Sequence, residues 1–156
     1  MTGKISAQPG VAEDQTSFVT FSVGGHHFGI PVMRVQDILT PDSIASVPRG
    51  PADVRGLINL RGRIVTVIDV RTRLALGGAA SNGPGKCVTV ESDGEFYTLL
   101  VDSVGDVVSL READREPNPA TIDPSWRELA VGVFHSSERL LVALDVEQIL
   151  SIRGKA

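Results

Sequence analysis

Residues 56–74 have the sequence GLINLRGRIVTVIDVRTRL, and residues 132–150 have the sequence GVFHSSERLLVALDVEQIL. The two stretches align without a gap, and most apolar positions stay apolar in both. The identical pairs are Gly56 and Gly132, Arg63 and Arg139, Asp69 and Asp145, Val70 and Val146, and Leu74 and Leu150. A repeat of this length indicates one supersecondary unit that occurs twice. The sequence therefore predicts a chain made of two similar halves.

Each copy has the pattern of a β-hairpin followed by a short helix. In the first copy, the apolar runs 57–60 and 63–69 are separated only by Arg61 and Gly62, a spacing typical of a tight turn. A helix is predicted over 70–76, ending at the glycines that follow. In the second copy, strands are predicted at 130–135 and 139–144, and a helix at 145–152 with Asp145 as its N-cap.

Further strands are predicted at 18–23, 86–91, 96–102 and 104–110, where β-branched and aromatic residues are frequent. The spacing of apolar residues in 28–38 fits either a strand or a helical turn. Residues 28–39 also resemble 96–108 if one residue is inserted, which places 35–38 on 104–107. The glycine-rich stretch 77–85 is predicted to be the loop between the halves.

The resulting fold class is all-β with short helices, with about five short strands in each half. Such strands close into small barrels or pack as two sheets. A half of about 65 residues buries too little surface to be reliably stable as an independent domain. The halves are therefore expected to share one hydrophobic core. Residues 1–16 are polar and predicted to be a disordered tail, and 17–156 are predicted to form a single domain. The pattern leaves open whether strands exchange between the halves.

Composition excludes several classes of function. The net charge of -4 provides no positive excess for binding nucleic acid or an anionic membrane. No window approaches the 18 continuous apolar residues of a membrane span, and the N-terminus lacks the apolar core of a secretory signal. The single cysteine, Cys87, suits a reducing compartment. A cytoplasmic location is therefore predicted.

Residues that would carry catalysis or bind a metal are scarce. His26 and His27 are adjacent and would point to opposite faces of a strand, and no second cysteine accompanies them or His135. Residues 80–87 miss the phosphate-binding loop motif at both of its ends. No serine or cysteine has a recognisable activating partner. We therefore expect no catalytic residues, no metal and no cofactor.

Residues 54–71, VRGLINLRGRIVTVIDVR, resemble the GxxNLRGxIxPVxDLR signature of the CheW family of chemotaxis coupling proteins. The resemblance extends over about 18–152, with supporting matches at 28–38, 101–107 and 132–145. One departure is Thr66, where the family often has proline. Because this change restores a backbone donor within a strand, it should not disturb the fold.

The resemblance implies two small, five-stranded, SH3-like β-barrels packed together, and a non-catalytic adaptor function. The two implied partners are the helical hairpin tip of a methyl-accepting chemoreceptor and the regulatory domain of the chemotaxis histidine kinase CheA. The sequence leaves open whether ring assemblies form in signalling arrays, and the protein is expected to be held near the membrane only through protein contacts. An adaptor of a non-flagellar chemosensory pathway would have the same sequence features.

The resemblance also places a receptor-binding region on this chain, and kinase-binding residues are left unassigned. Its positions are Val35, Asp37, Ile38, Gly56 and Arg61. Each has a structural alternative: Arg61 as a solvated turn residue, Gly56 as a requirement of backbone shape, Val35 and Ile38 as core, and Asp37 as a turn residue. A hypothesis of another class is a small β-barrel ligand-binding protein, which would need a polar pocket with His27 or His135 near carboxylates.

Overall fold

The computed structural model describes residues 14–41, 43–48, 50–76, 85–117, 124–136 and 139–151. These residues form ten strands and two α-helices, α1 (Val70–Arg73) and α2 (Val146–Leu150). The strands are β1 (Gln15–Val23), β2 (His26–Pro31), β3 (Val35–Leu39), β4 (Val54–Leu60), β5 (Arg63–Asp69), β6 (Lys86–Ser92), β7 (Glu95–Val101), β8 (Ser103–Arg111), β9 (Ala130–Ser136) and β10 (Arg139–Leu144). The all-β class predicted from the sequence is confirmed.

The strands form two five-stranded sheets with the same internal plan. Sheet A has the order β8-β1-β2-β10-β9, and sheet B has the order β3-β6-β7-β5-β4. If the second half of the chain starts at β6, each sheet contains two strands from one half and three from the other. The halves therefore exchange strands: sheet B is formed by the consecutive strands β3–β7, and sheet A combines β1 and β2 with β8–β10.

Strand pairing corrects one detail of the predicted repeat. Phe21 faces Phe28 on one side and Val104 on the other, and in sheet B Val90 faces Tyr97 and Val35 in the same way. Phe28 thus corresponds to Tyr97 and not to Phe96. Residues 28–39 therefore align with 97–108 without an inserted residue. The sequence comparison was misled because an aromatic residue stands at both positions 96 and 97.

The stretch 28–38, which the sequence left ambiguous, contains both kinds of structure. β2 ends at Pro31, a single 3₁₀ turn spans Val32–Arg34, and β3 begins at Val35. This turn carries the chain from sheet A to sheet B. The chain returns from sheet B to sheet A at Asp102, which lies between β7 and β8.

The two edges of each sheet are brought together by a single bridge. After edge strand β3 the chain turns back, and Ala45 and Leu57 of β4 exchange backbone hydrogen bonds of 2.9 Å each. Glu116 and Val133 of β9 form the same bridge in sheet A, also with two bonds of 2.9 Å. Each sheet is therefore curled, as expected for SH3-like architecture.

Both helices are capped by aspartates at equivalent positions of the repeat. Asp69 accepts hydrogen bonds from the backbone amides of Arg71 and Thr72, and Asp145 accepts them from those of Glu147 and Gln148. The predicted cap at Asp145 is confirmed. The first helix ends at Arg73, earlier than the predicted 76, because Ala75 already has a positive φ of 57°.

Ion pairs of opposite polarity tie each helix to one of the two crossings between the sheets. Arg71 of α1 contacts Asp102 at 3.0 Å, whereas Glu147 of α2, at the equivalent repeat position, contacts Arg34 at 2.6 Å. Each helix thus carries a charge opposite to that of the crossing it contacts. Exchanging the two would place Arg71 next to Arg34 and Glu147 next to Asp102, and both pairs would repel.

The main hydrophobic cluster lies between the sheets and contains residues of both halves, as the sequence predicts. Its largest members include Phe21 and Phe28 from sheet A, Leu99 from sheet B, and Trp126, whose indole N–H donates to the carbonyl of Leu74 at 2.8 Å. Smaller clusters lie on the far face of each sheet, around Phe134 in sheet A and Val67 in sheet B.

The predicted tail and inter-half loop lie mostly outside the described residues. The structure describes nothing of 1–13 or 77–84. β1 begins at Gln15, two residues before the predicted start of the ordered domain at residue 17.

Candidate functional site

The candidate site is on sheet B, where the β4–β5 turn approaches edge strand β3. Arg61 Nη1 lies 2.6 Å from Asp37 Oδ2, and the Arg61 side chain is 76% exposed whereas that of Asp37 is 21% exposed. The other carboxylate oxygen of Asp37 accepts a hydrogen bond from the amide of Ile38 at 2.8 Å. Two residues that are far apart in sequence thus form one charged feature at the surface.

The turn that presents Arg61 is fixed by its own sequence. Arg61 and Gly62 both have positive φ, 52° and 86°, as a two-residue hairpin of this type requires. The amide of Gly62 donates to the side-chain oxygen of Asn59 at 2.9 Å. The Asn-Leu-Arg-Gly segment therefore builds the turn and holds the arginine outward.

Beside this ion pair, the two predicted apolar residues have different environments. Ile38 is 42% exposed and lies next to Asp37 on β3. Val35 is partly buried and packs against the main hydrophobic cluster. Ile38 is thus available to a partner, while Val35 contributes chiefly to packing.

Gly56 is buried and has a backbone role. Its φ is 156°, and a Cβ built on it would overlap the carbonyl of Ala45, the residue that bridges to β4. Gly132 has a φ of 151° and would place a Cβ 2.8 Å from the carbonyl of Glu116 in the equivalent bridge. A side chain at either position would push the two edges of its sheet apart.

Sequence reasoning missed an exposed residue on the same hairpin. Ile64 is 66% exposed on β5, opposite Asn59 and just after the turn. The neighbouring Arg63 stacks its guanidinium over the ring of Phe96 at 4.7 Å from the centroid. Successive side chains of a strand point to opposite faces of the sheet. Ile64 and Val65 are adjacent and both apolar, so the sequence already indicated that one of them faces outward.

Groups capable of catalysis or metal binding are sparse in the described part of the chain. Burial raises the pKa of the Cys87 thiol to about 11, which disfavours its reactive thiolate form. Among the described residues, no group of three or more histidine, cysteine, aspartate and glutamate side chains is placed to hold a metal ion. None of the helices described has the length and apolar character needed to cross a bilayer.

The histidines of the ligand-binding hypothesis lie at separate places. His27 lines a surface pocket on sheet A together with Asp106 and Arg139. His135 lies outside this pocket, with its Nε2 3.6 Å from a carboxylate oxygen of Glu116. A pocket of mixed charge thus exists on the sheet opposite to the predicted receptor-binding residues.

Comparisons with known proteins bear on the whole described fold. The chain is 30% identical over 134 residues to the chemotaxis protein CheW of Klebsiella aerogenes, covering 86% of this chain and 81% of the relative. It is 26% identical over 138 residues to the CheW of Helicobacter pylori, covering 88% and 83%. The crystal structure of the scaffolding protein TtCheW from Thermoanaerobacter tengcongensis matches with a TM-score of 0.79 and 27% identity, covering 90% of this chain and 95% of that one.

A sequence profile of the CheW-like domain matches residues 17–153. This span includes both helices, every residue of the candidate site, and both sheets except the first two residues of β1. The chain belongs to the CheW-like domain family.

Proposed function

We propose that this chain is a non-catalytic adaptor that couples chemoreceptors to the histidine kinase CheA in signalling arrays. Family membership makes it a chemotaxis scaffold that acts through protein–protein contacts. The observation that carries the receptor half of the proposal is the Asp37–Arg61 ion pair at the edge of sheet B, on the same strand as exposed Ile38.

A helical hairpin is bound by a surface that offers apolar contact and charges that set its orientation. Ile38 supplies apolar contact, and Arg61 and Asp37 supply opposite charges within one ion pair. Because Arg61 is mostly exposed, it can exchange part of its contact with Asp37 for a carboxylate of the partner. Asp37, Ile38 and Arg61 are therefore the proposed receptor-contacting residues.

Val35 and Gly56 support this surface from below. Val35 anchors the start of β3 in the main cluster, and Gly56 allows Ala45 to bridge to β4. Both keep β3 and the β4–β5 turn at the separation that the ion pair spans. Substitutions at these two positions would affect receptor binding through the fold.

The kinase contact is proposed from the family alone, and no individual residue is assigned to it. The regulatory domain of the kinase resembles this fold and is expected to pair with it barrel end to barrel end. The cytoplasmic location and the association with arrays through protein contacts belong to the same proposal.

The test is a calorimetric titration of the full chain against two ligands, the isolated CheA regulatory domain and a receptor hairpin fragment. We expect saturable binding of both, with dissociation constants of about 1–100 μM, as a modest interface gives. Arg61→Glu should weaken the binding of the receptor fragment and leave the binding of the CheA regulatory domain unchanged. Arg111→Glu is the matched control, because Arg111 is also exposed and paired with one carboxylate, at 3.5 Å from Asp14, but lies on sheet A. Failure of the folded chain to bind either ligand would refute the proposal.

A further inference from the structure

A surface pocket of about 410 Å³ opens on sheet A, away from the predicted receptor-binding residues. Its polar lining consists of Thr20, Ser22, His27, Ser103, Asp106 and Arg139. The pocket crosses four neighbouring strands, β8, β1, β2 and β10. Its volume lies within the range of small-molecule sites.

The repeat explains why this pocket is open on sheet A and filled on sheet B. His27 faces Ser22 in sheet A, and the equivalent pair in sheet B is Phe96 facing Glu91. The Phe96 ring is partly buried in the sheet B cluster, and Arg63 covers it. Smaller side chains on sheet A thus leave a space that larger ones occupy on sheet B.

Two opposite charges line this space without ion-pair partners of their own. Asp106 corresponds to Asp37, which Arg61 neutralises, and Arg139 corresponds to Arg63, which stacks on Phe96. Among the residues that the structure describes, neither Asp106 nor Arg139 forms a salt bridge. The pocket therefore presents one free carboxylate and one free guanidinium.

The two charged residues come from the outer two of the four strands that line the pocket. Thr20 Oγ1 donates to the backbone carbonyl of Asp106 at 2.6 Å, which fixes the bulge between β1 and β8. Ser22 and Ser103 share a 2.6 Å hydrogen bond between their hydroxyls, on the same two strands. Asp106 is on β8 and Arg139 is on β10, with β1 and β2 between them in the sheet.

The remaining side chains near the pocket are apolar. The Phe21 side chain is buried in the main cluster between the sheets, and the apolar side chains at the pocket wall are those of Val108 and Leu141. A ligand with a short aliphatic body would cover these side chains while its ends reach the charged groups. A ligand with a single charge would leave either Asp106 or Arg139 without a partner.

We infer that this pocket binds a small zwitterion with an aliphatic body, its ammonium at Asp106 and its carboxylate at Arg139. Charge-assisted hydrogen bonds at both ends select the zwitterion over ligands of a single charge. The site is separate from the proposed receptor surface on sheet B, so adaptor binding and ligand binding can be tested independently.

The experiment is a ¹⁵N NMR titration of the full chain with 4-aminobutyrate and 6-aminohexanoate. The controls are butyrate and butylammonium, which retain the aliphatic body and one charge. We expect at least one zwitterion to cause saturable shifts at amides around Thr20, His27 and Asp106, with a dissociation constant of about 0.1–1 mM. Each control should bind about tenfold more weakly or worse. No saturable binding by either zwitterion, or equal binding by one of the controls, would overturn the inference.

Variants locate the binding in the pocket. Asp106→Asn and Arg139→Gln should each lower the affinity for the zwitterion by about tenfold, since each removes one charged contact. His27→Phe should abolish binding, because it rebuilds the filled arrangement of Phe96 and Arg63. Asp114→Asn and Arg111→Gln, exposed residues outside the pocket, should bind as the unmodified chain does. Unchanged affinity in the folded Asp106→Asn and Arg139→Gln variants would contradict the assignment.

Discussion

The guanidinium of Arg61 lies 2.6 Å from the carboxylate of Asp37 and thereby joins the two edges of sheet B. Asp37 is on β3 and Arg61 is in the turn after β4, and these strands stand at opposite ends of the strand order. The ion pair and the Ala45–Leu57 bridge therefore close the same gap from two places. The charged residues proposed to contact a receptor are also residues that hold the sheet curled.

Charge reversal at this pair separates stability from recognition. Arg61→Glu should lower the free energy of unfolding by about 0.5 kcal/mol, since exposed ion pairs contribute little. The double variant Asp37→Arg/Arg61→Glu restores an attractive pair and should recover that stability, as measured by urea denaturation. It should still fail to bind the receptor fragment, because the charges now have the wrong arrangement for the partner. Recovery of binding in the double variant would mean that the pair acts only through the fold.

Gly56 provides a prediction about the bridge beneath the site. Gly56→Ala should destabilise the fold by about 2–4 kcal/mol, because the added Cβ overlaps the Ala45 carbonyl and the φ of 156° is unfavourable for alanine. Gly132→Ala should have a similar effect in sheet A. The control is Gly25→Ala, whose Cβ meets nothing within 4 Å, so that only its φ of 82° matters. Its cost should be about 1 kcal/mol in the same thermal and urea measurements. Equal stability of the Gly56 and Gly25 variants would exclude the overlap as the cause.

The repeat made most of the secondary structure predictable from sequence. The hairpin around Arg61 and Gly62, the cap at Asp145 and the number of strands all follow from local patterns that the structure confirms. Local patterns do not state which strands pair. The exchange of strands between the halves depends on the crossings at Val32–Arg34 and Asp102, where the chain changes sheets. Nothing in the apolar spacing there distinguishes a crossing from a continuous strand.

The candidate site was predictable in its composition and not in its contacts. The resemblance supplied Asp37 and Arg61, but their ion pair depends on the curl of sheet B. The pocket on sheet A was predictable only in part, because His27 was named without its neighbours. Asp106 and Arg139 are far from it in sequence, and the space between them exists because His27 stands where sheet B has Phe96.

Burial along β5 gives a prediction that tests the strand directly. Val67 is fully buried in sheet B, whereas Ile64, three residues earlier, is largely exposed. Val67→Asp should prevent stable folding, since it places an unpaired charge in the core. Ile64→Asp should fold and change the free energy of unfolding by less than about 0.5 kcal/mol. Circular dichroism and thermal melting of both variants provide the measurement, and a Val67→Asp protein that melts like the unmodified chain would contradict the assigned burial.

Glu147 ties helix α2 to the crossing between the sheets and makes stability depend on pH. Hydrogen bonds from Ser92, at 2.8 Å, and from Arg34, at 2.6 Å, lower the pKa of Glu147 below its ordinary value. A carboxyl whose pKa is lower in the folded state stabilises that state above its unfolded pKa of about 4.3. This contribution is lost as the pH falls through the lower, folded pKa.

Glu147→Gln removes that contribution, and the difference from the unmodified chain should therefore depend on pH. At pH 7 the variant should be less stable by about 0.2–1 kcal/mol, the range of an exposed ion pair. The difference should shrink as the pH falls below about 4.3. Urea denaturation between pH 3 and pH 7 measures it, with Glu91→Gln as a control, an exposed carboxyl on the same strand as Ser92. A pH-independent difference would mean that the glutamine itself disturbs the helix, and that the ion pair with Arg34 contributes nothing.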